Sequence, residues 1–590
     1  MTSAAAFFFC AVPLLAQTAY CESIWAHKVV TGDPKPEPTR FAFHADSTGD
    51  TYIGGNSQLA PALPAITIWK VDQSGGLAWT QSISNSAWAD AKAVAVTKVD
   101  GVTGLVYVSG WVEGPSGKDI LTAAVDEFSG AVIWQQTYNG PMSGDDVPVV
   151  VRARAQADGT QFVYVGGNSE GQSLTGASLG LDYVVIKYAG ATGARPWGDS
   201  PPGVPIVARY NGPASGDDVL SDLAIEPNGG GGAGGVEPPP EGTGACCLPT
   251  GGCDHLDPVA CANMGGTFQG LGVSCLSVDC PGARFYVTGT SVGVSTGKDY
   301  ATVRFNDANP NDPLDPMRVA RKEWSATDVA TSLVVARQPG TSHGVPPPFA
   351  VFVTGYTNSG TDGTYDMLTL SYTPDLSAER WDSENGVGRY NGAGQKNDYA
   401  RKIDYEPGWD TLYVAGETYR GGIHGIEAVL IKYFEIDGSL PWGLPPDAAV
   451  RYFPGFEITG SGEDTASDLV IDKNNNAYIA GKTWNGTSFD IFAVSYDGFT
   501  SGRRWVEIIR DGQGNPIVTG RDYITHNGGA NGFDVGVGIR VYFANDFNHC
   551  FPVGVFGLAT EVNAVEQKVL RYAAWRINQC DVDGGCGPCP

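Results

Sequence analysis

The sequence contains a repeated unit of four short predicted strands, which is clearest in residues 90–140. Four apolar runs rich in Val, Ile, Tyr and Trp are separated there by Gly, Asp and Ser, and they occupy 91–97, 105–111, 120–125 and 131–137. Each run has the length of a strand and is bounded by turn-forming residues. The pattern therefore predicts a four-stranded antiparallel meander.

The same unit recurs along most of the chain. Its second strand ends in an aromatic, an aliphatic and a small residue followed by glycine, at Gly55, Gly110, Gly167, Gly289, Gly355, Gly416 and Gly481, with a weaker copy at Gly557. Its fourth strand is predicted to carry a tryptophan, at Trp25, Trp79, Trp134, Trp197, Trp324, Trp381, Trp442 and Trp505. Successive tryptophans lie 54, 55, 63, 127, 57, 61 and 63 residues apart, so one interval is double and indicates an insertion.

The repeat is out of phase with the ends of the chain. Trp25 precedes any first, second or third strand, whereas Gly557 is followed by a candidate third strand but by no further tryptophan. This offset is expected of a ring of sheets in which one sheet is formed jointly by strands from the N-terminus and the C-terminus. We therefore predict an all-β fold, a β-propeller of eight four-stranded blades closed by pairing of the N- and C-terminal strands. The alternative is seven blades with residues 510–590 as an irregular cap.

Three short motifs resemble the bacterial β-propeller repeat family called SBBP. They are Ser-Gly-Asp-Asp before the first strand, Tyr-Val-x-Gly at the end of the second and Asp-Tyr at the start of the third, at 143–146 and 215–218, 286–289 and 413–416, and 182–183 and 299–300. The resemblance covers most of the chain. It implies the propeller fold and no particular activity.

The first residues and the net charge predict the compartment. Residues 1–20 resemble a secretory signal, because the apolar core at 4–16 is too short to span a bilayer and small residues follow it. Cys21 suggests a lipoprotein site, but Tyr20 stands where such sites carry Gly or Ala. The net charge of −27 argues against nucleic acid or an anionic membrane as a partner. We therefore expect a secreted protein without a membrane span.

An insertion at 228–282 divides the predicted propeller into 21–227 and 283–576, and a Cys-rich tail follows at 577–590. Behind Gly- and Pro-rich tethers it carries six cysteines, namely Cys246, Cys247, Cys253, Cys261, Cys275 and Cys280. A segment this short buries too little core to fold unaided, so an even number of cysteines in a secreted chain predicts three disulfides. The segment resembles a small Cys-rich module, GACC followed by spaced cysteines, of secreted bacterial proteins. A zinc site with Asp254 and His255 is the alternative, although paired C-x-x-C spacing is missing.

Two acidic positions recur along the repeats, and both lie at the same end of an up-and-down meander. One precedes the first strand, at Asp90, Asp146, Asp218, Asp328, Asp398, Asp464 and Asp534. The other begins the third strand, at Asp119, Asp182, Asp299, Asp366, Glu427 and Asp490. Such residues commonly cap turns by accepting backbone N–H groups, and we favour that interpretation. The alternative is a calcium site, with Asp146, Asp182, Asp218, Asp299, Asp464 and Asp490 as the candidate ligands.

No known catalytic motif occurs here in the structural context that it requires, so we predict no catalytic or cofactor-binding residue. Gly-x-Ser-x-Gly occurs at 167–171 and 289–293, but no helical pattern follows it, as the elbow of serine hydrolases requires. Residues 124–134 resemble the tryptophan-docking repeat of eight-bladed quinoprotein dehydrogenases, which hold a disulfide between adjacent cysteines above a quinone. The adjacent pair here, Cys246 and Cys247, lies in the insertion. We predict a non-enzymatic scaffold that binds a protein, a glycan or a cell-surface component, with a quinoprotein-like dehydrogenase as the alternative.

Overall fold

The computed structural model describes much of the chain between residues 19 and 581. The described ranges are 19–29, 42–226, 242–273, 284–541 and 553–581, with gaps at 47–48, 58–63, 100–101, 115–116, 157–158, 173–177, 201–203, 248–252, 264–265, 314, 324–326, 338–348, 359–363, 393, 395, 407–409, 422–424, 443–449, 454–461, 473, 511–515, 519–520, 528–533 and 563–567. Within these ranges, no helix combines the length and the hydropathy needed to cross a membrane.

The fold is all-β and propeller-like, and its first four large sheets each contain four strands that pair antiparallel in chain order. Sheet 1 consists of Ala42–Ala45, Thr51–Ser57, Ala65–Val71 and Leu77–Ser84. Sheet 2 consists of Asp90–Lys98, Leu105–Gly114, Gly117–Asp126 and Val132–Tyr138. Sheet 3 consists of Val147–Ala155, Gln161–Gln172, Ser178–Ala189 and Ala208–Tyr210. Sheet 4 consists of Val219–Ile225, Arg284–Gly293, Gly297–Asn306 and Arg318–Lys322. Sheet 2 confirms the four strands predicted in residues 90–140.

Three more four-stranded antiparallel sheets follow along the chain. Sheet 5 consists of Asp328–Arg337, Phe349–Asn358, Tyr365–Tyr372 and Arg389–Tyr390, with a short 3-10 helix at Ser383–Asn385 before its last strand. Sheet 6 consists of Asp398–Glu406, Thr411–Tyr419, Ile426–Phe434 and Val450–Phe453. Sheet 7 consists of Thr465–Ile471, Ala477–Trp484, Phe489–Tyr496 and Ile524–His526.

Sheet 8 combines strands from both ends of the chain. In spatial order it contains Val535–Val541, Val553–Val562, Lys568–Asp581, Ala19–Val29, Trp505–Arg510 and Pro516–Val518. The strand Ala19–Val29 pairs antiparallel with Lys568–Asp581, with His27 opposite Ala574 and Val29 opposite Tyr572. The repeat phase predicted this pairing. The N-terminal strand does not lie at the edge of this sheet, because Trp505–Arg510 pairs parallel with it and satisfies part of its backbone hydrogen-bonding groups.

The inserted segment forms a small unit of its own between the first and second strands of sheet 4. Its three-stranded sheet consists of Gly244–Cys247, Cys253–Leu256 and Thr267–Phe268, and its helix is Pro258–Asn263. Cys246 forms a disulfide with Cys261, and Cys247 is also disulfide-bonded. Cys275, Cys280 and the residues 1–18 and 582–590 of the predicted signal and tail lie outside the described residues.

A β-bulge in the first strand explains the glycine that marks most of the repeats. The register of the first and second strands shifts by one residue in sheets 2 to 8, for example between Ala400 and Lys402. The bulge brings a first-strand carbonyl close to the second strand, so that a Cβ at Gly416 would overlap the carbonyl oxygen of Tyr399. The same overlap arises at Gly110, Gly289, Gly355 and Gly481. The recurring glycine therefore accommodates a recurring bulge.

Each sheet packs against the next through its own hydrophobic cluster. Seven clusters of buried side chains join sheets 1 and 2, 2 and 3, and so on to 7 and 8. Sheets 8 and 1 also touch, because the rings of Phe43 and Phe556 stack with their centroids 4.6 Å apart. The first strands of consecutive sheets contact one another, so they form the innermost layer.

The prediction that tryptophan marks the fourth strand is correct for Trp79 and Trp134 and wrong for four others. Trp197, Trp381 and Trp442 lie in turns before their fourth strands, and Trp505 lies in a strand of sheet 8. The fourth strands are Ala208–Tyr210, Arg389–Tyr390, Val450–Phe453 and Ile524–His526. Trp324 and the side chain of Trp25 lie outside the described part of the chain.

The position of the tryptophan side chain is set by a contact to the next sheet and not by membership of the fourth strand. In five copies the indole Nε1–H donates to a backbone carbonyl that follows the third strand of the next sheet. The donors and acceptors are Trp79 and Glu127 at 2.9 Å, Trp134 and Gly190 at 2.6 Å, Trp197 and Asp307 at 2.7 Å, Trp381 and Glu435 at 3.0 Å, and Trp442 and Gly498 at 3.1 Å. The backbone around the indole can vary as long as this bond and its packing are kept.

Candidate functional site: paired carboxylates and a central cavity

The two recurring acidic positions meet at the junctions between neighbouring sheets. The amide of Asp218 donates to the carbonyl of Leu181 at 2.6 Å, which places Asp218 of sheet 4 beside Asp182 of sheet 3. The corresponding bonds run from Asp146 to Lys118 at 2.6 Å, from Asp464 to Ile426 at 2.9 Å and from Asp534 to Phe489 at 2.9 Å. The neighbouring acids therefore come from adjacent blades. We call this end of the sheets the acid end.

The first-strand acids hold the loop that leads into their own strand. Buried Asp146 accepts the N–H of Gly140 at 2.5 Å, and buried Asp398 accepts the N–H of Gly392 at 2.6 Å. Asp218 accepts the N–H of Gly212 in the same way. Each of these copies reads Tyr-Asn-Gly followed by five residues and Asp, at 138–146, 210–218 and 390–398. This geometry agrees with the turn-cap interpretation of the sequence.

Four of the third-strand acids are paired with arginines that were not among the residues predicted from the sequence. Asp182 lies 2.9 Å from Arg209, and Asp299 lies 2.5 Å from Arg321, each measured from a guanidinium nitrogen to a carboxylate oxygen. Asp366 pairs in the same way with Arg389 at 2.5 Å, and Glu427 with Arg420 at 3.0 Å. The arginines of the first three pairs lie on fourth strands, in the sequences Ala-Arg-Tyr, Ala-Arg-Lys and Gly-Arg-Tyr, and that recurrence was the available signal.

Burial makes several of these carboxyls weak acids. It raises the pKa of Asp146, Asp182 and Asp398 to about 6, despite the hydrogen bonds and arginines that favour the ionised form. Burial also raises the pKa of Asp119. In the fourth strand of its sheet, Thr137 occupies the register position that an arginine occupies in sheets 3, 4 and 5. These acids are therefore a source of pH-dependent stability.

A cluster of three acidic side chains was not among the predicted calcium ligands. Asp46, Asp50 and Glu127 have carboxylate oxygens within 4.8 Å of one another, and they are the one such triad among the residues that the structure describes. The Lys98 ammonium lies 2.8 Å from Asp46 and 2.5 Å from Glu127, and Lys70 lies 2.7 Å from Asp50. Burial opposes the charge on Lys98, but hydrogen bonds to Asp46 and Glu127 outweigh it and raise its pKa. Lysines therefore supply the positive charge that a metal ion would bring.

A cavity of ≈ 420 Å³ lies between the first strands of sheets 3, 4, 5 and 6. Charged side chains from three of the four strands line it, namely Arg152 and Arg154, Glu226, and Lys402 and Asp404. Burial raises the pKa of Glu226 to about 7 and that of Asp404 to about 6. The cavity could not be predicted from the sequence, because its lining depends on how the bulged first strands converge.

The Cys-rich unit does not reproduce the disulfide of the quinoprotein dehydrogenases. Cys246 is bonded to Cys261, so the adjacent cysteines Cys246 and Cys247 are not bonded to each other. The described part of the insertion is therefore a small unit that a disulfide holds together.

Residues 457–490 match the family model described as the SBBP beta-propeller repeat, which confirms the resemblance over part of sheet 7. No curated protein matches the chain. Among solved structures, the chain is similar to the quinohemoprotein alcohol dehydrogenase from Comamonas testosteroni, with 11% identity over 97% of this chain and 77% of that chain and a TM-score of 0.43. It is also similar to the WD40 domain of SCAP from fission yeast, with 7% identity over 95% of this chain and 98% of that chain and a TM-score of 0.37. Likenesses at this level carry no argument about activity.

Proposed function

We propose that this chain is a secreted binding scaffold built as a closed ring of eight blades. Pairing of Ala19–Val29 with Lys568–Asp581 and stacking of Phe43 on Phe556 support closure. The regular strands between 535 and 581 support eight blades over seven with an irregular cap. The Cys246–Cys261 disulfide supports an oxidising compartment.

The observation that carries the binding role is a set of exposed apolar side chains at the end opposite the acid end. Phe128 is 69% exposed, Ile436 75% and Phe499 54%, and each lies in the turn between the third and fourth strands of its sheet. The three residues lie on sheets 2, 6 and 7, and aromatic side chains such as Phe128 and Phe499 are enriched at surfaces that bind proteins. We call these three residues the apolar turn surface.

The turns that present two of these residues are held in place by aspartates. Asp126 accepts hydrogen bonds from the amides of Phe128 and Ser129 and from the Ser129 hydroxyl. Asp497 accepts from the amides of Phe499 and Thr500 and from the Thr500 hydroxyl. Fixing the turn before binding reduces the conformational entropy lost on association, which favours a binding role.

A binding screen tests the proposal. Purified protein is applied to arrays of glycans and cell-envelope fractions, and the hit is repeated with a Phe128→Ser, Phe499→Ser double variant. We expect binding to fall at least about tenfold, as when central aromatic contacts are lost. Val294→Ser is the matched control, because Val294 is 77% exposed but lies in a turn at the acid end. Equal loss in the control, or none in the double variant, would reject the apolar turn surface.

An absorption spectrum tests the dehydrogenase alternative independently. Bound quinone absorbs in the near ultraviolet, so a purified protein with the spectrum of its aromatic residues alone agrees with a scaffold. A quinone band that persists through purification would favour the enzyme.

A further inference from the structure

The central cavity contains basic side chains whose hydrogen-bond donors the described residues use only in part. We propose that this cavity binds a small organic carboxylate, held between Arg152 of sheet 3 and Lys402 of sheet 6. The site lies among the inner strands, apart from the apolar turn surface. It does not depend on whether that surface binds a macromolecule.

Asp222 lies between the two basic side chains, and its acceptor positions are already filled. Its Oδ1 accepts from Arg152 Nη2 at 2.9 Å and from the Leu223 amide at 2.9 Å. Its Oδ2 accepts from the Ser332 hydroxyl at 3.0 Å and from the Leu333 amide at 3.2 Å. A carboxylate offers about four lone-pair sites, so Asp222 has no further site to offer. Burial opposes its ionisation, but the two basic side chains and the amides of Leu223 and Leu333 together outweigh burial and lower its pKa.

Arg152 and Lys402 both retain N–H groups that the described residues do not use and that a ligand can accept. Lys402 Nζ is 3.7 Å from Asp222 Oδ2, which is too far for a hydrogen bond, although the charges attract. Arg152 donates to Asp222 and to the Val151 carbonyl at 3.2 Å, which uses two of its five N–H groups. Two positive charges face the single negative charge of Asp222. A ligand carboxylate bound beside Arg152 and Lys402 would balance their excess of positive charge over Asp222 and accept the remaining donors.

The space and the other charges define the class of ligand. Ala224 and Val334 are short side chains on the two strands between those of Arg152 and Lys402, and they leave room within the ≈ 420 Å³ cavity. A volume of this order suits a small molecule. Glu226 and Asp404 line the same cavity, so they disfavour a dianion and can accept hydrogen bonds from an amino or hydroxyl group. The best match is a compact monocarboxylate that carries such a group.

Titration calorimetry with the full-length protein tests the site directly. Sodium lactate and glycine are the probes, sodium sulfate is the dianion, and ionic strength is held constant with sodium chloride. We expect saturable binding with a stoichiometry of one for lactate or glycine, and weaker binding of sulfate. Absence of saturable carboxylate binding in the millimolar range, or tighter binding of sulfate, would overturn the proposal.

Two variants with different physical effects locate the site. Lys402→Gln removes the charge, and we expect about tenfold weaker binding, as for a lost charged hydrogen bond. Val334→Phe fills the cavity without changing its charge and should abolish binding, so the site stays testable if one variant folds poorly. Lys298→Gln removes an exposed lysine outside the cavity and should bind like the wild type. Binding that survives both cavity variants, or that weakens equally in the Lys298→Gln control, would contradict the assignment.

Discussion

Replacing Trp134 tests whether the recurring tryptophans hold neighbouring sheets together. Its side chain is 8% exposed, its ring centroid lies 5.6 Å from that of Tyr188, and its Nε1–H donates to the Gly190 carbonyl at 2.6 Å. Trp134→Ala removes the ring and the bond, and such a change costs about 3–5 kcal/mol. Trp134→Phe keeps most of the ring contact and leaves the buried carbonyl without its donor, at a cost of about 1–3 kcal/mol.

Differential scanning calorimetry measures the effect. At about 2.1 cal/mol/K per residue, cooperative unfolding of a chain of this length has an entropy of roughly 1.2 kcal/mol/K, so the alanine variant should lower Tm by about 2–4 °C. Phe128→Ala, at a side chain that is 69% exposed, is the control and should leave Tm unchanged. An alanine variant that melts like the wild type would refute the role assigned to the indole.

Three further predictions concern pH, metal and the inserted unit. The pKa of Asp146, Asp182 and Asp398 rises from 3.8 to about 6 on folding, so their contribution to stability is fully present below about pH 4 and is lost as pH rises through 6. Tm should therefore fall as pH rises from about 4 to about 7, and a rise would contradict the effect assigned to burial. A chelator should leave Tm unchanged, because glycine amides hold Asp146, Asp218 and Asp398 and arginines pair with Asp182, Asp299 and Asp366. A large drop reversed by calcium would favour the calcium alternative. Deleting residues 229–281 and joining the flanking strands should leave a cooperative melt, and expression only as aggregate would show that the inserted unit is integral.

Periodicity of the sequence predicts the sheets well, because the repeat combines strand-length apolar runs with a glycine that a bulge requires. The strands of sheet 2 begin and end within three residues of their predicted bounds. The fourth strands were harder to predict. The indoles of Trp381 and Trp442 donate to backbone carbonyls of the following sheet. The tryptophan therefore recurs in these repeats although the fourth strand begins at a different point in the sequence.

The candidate sites could be predicted only where both partners are close in sequence. The bond from Gly140 to Asp146 spans six residues and is visible as a motif. The pair of Asp182 and Arg209 spans 27 residues, and the contact of Asp222 with Ser332 spans 110 residues between different sheets. Such contacts depend on how sheets converge around the centre, which a single sequence does not specify.

Removal of the N-terminal strand tests the closed ring most directly. A chain that begins at Asp33 lacks the strand that pairs with Lys568–Asp581. We predict that it melts at a lower temperature in one transition that involves all the sheets, and that a synthetic peptide of residues 19–31 raises Tm again by binding the vacated edge. A truncated chain that melts like the full-length protein, or one that loses only sheet 8, would contradict closure of the ring.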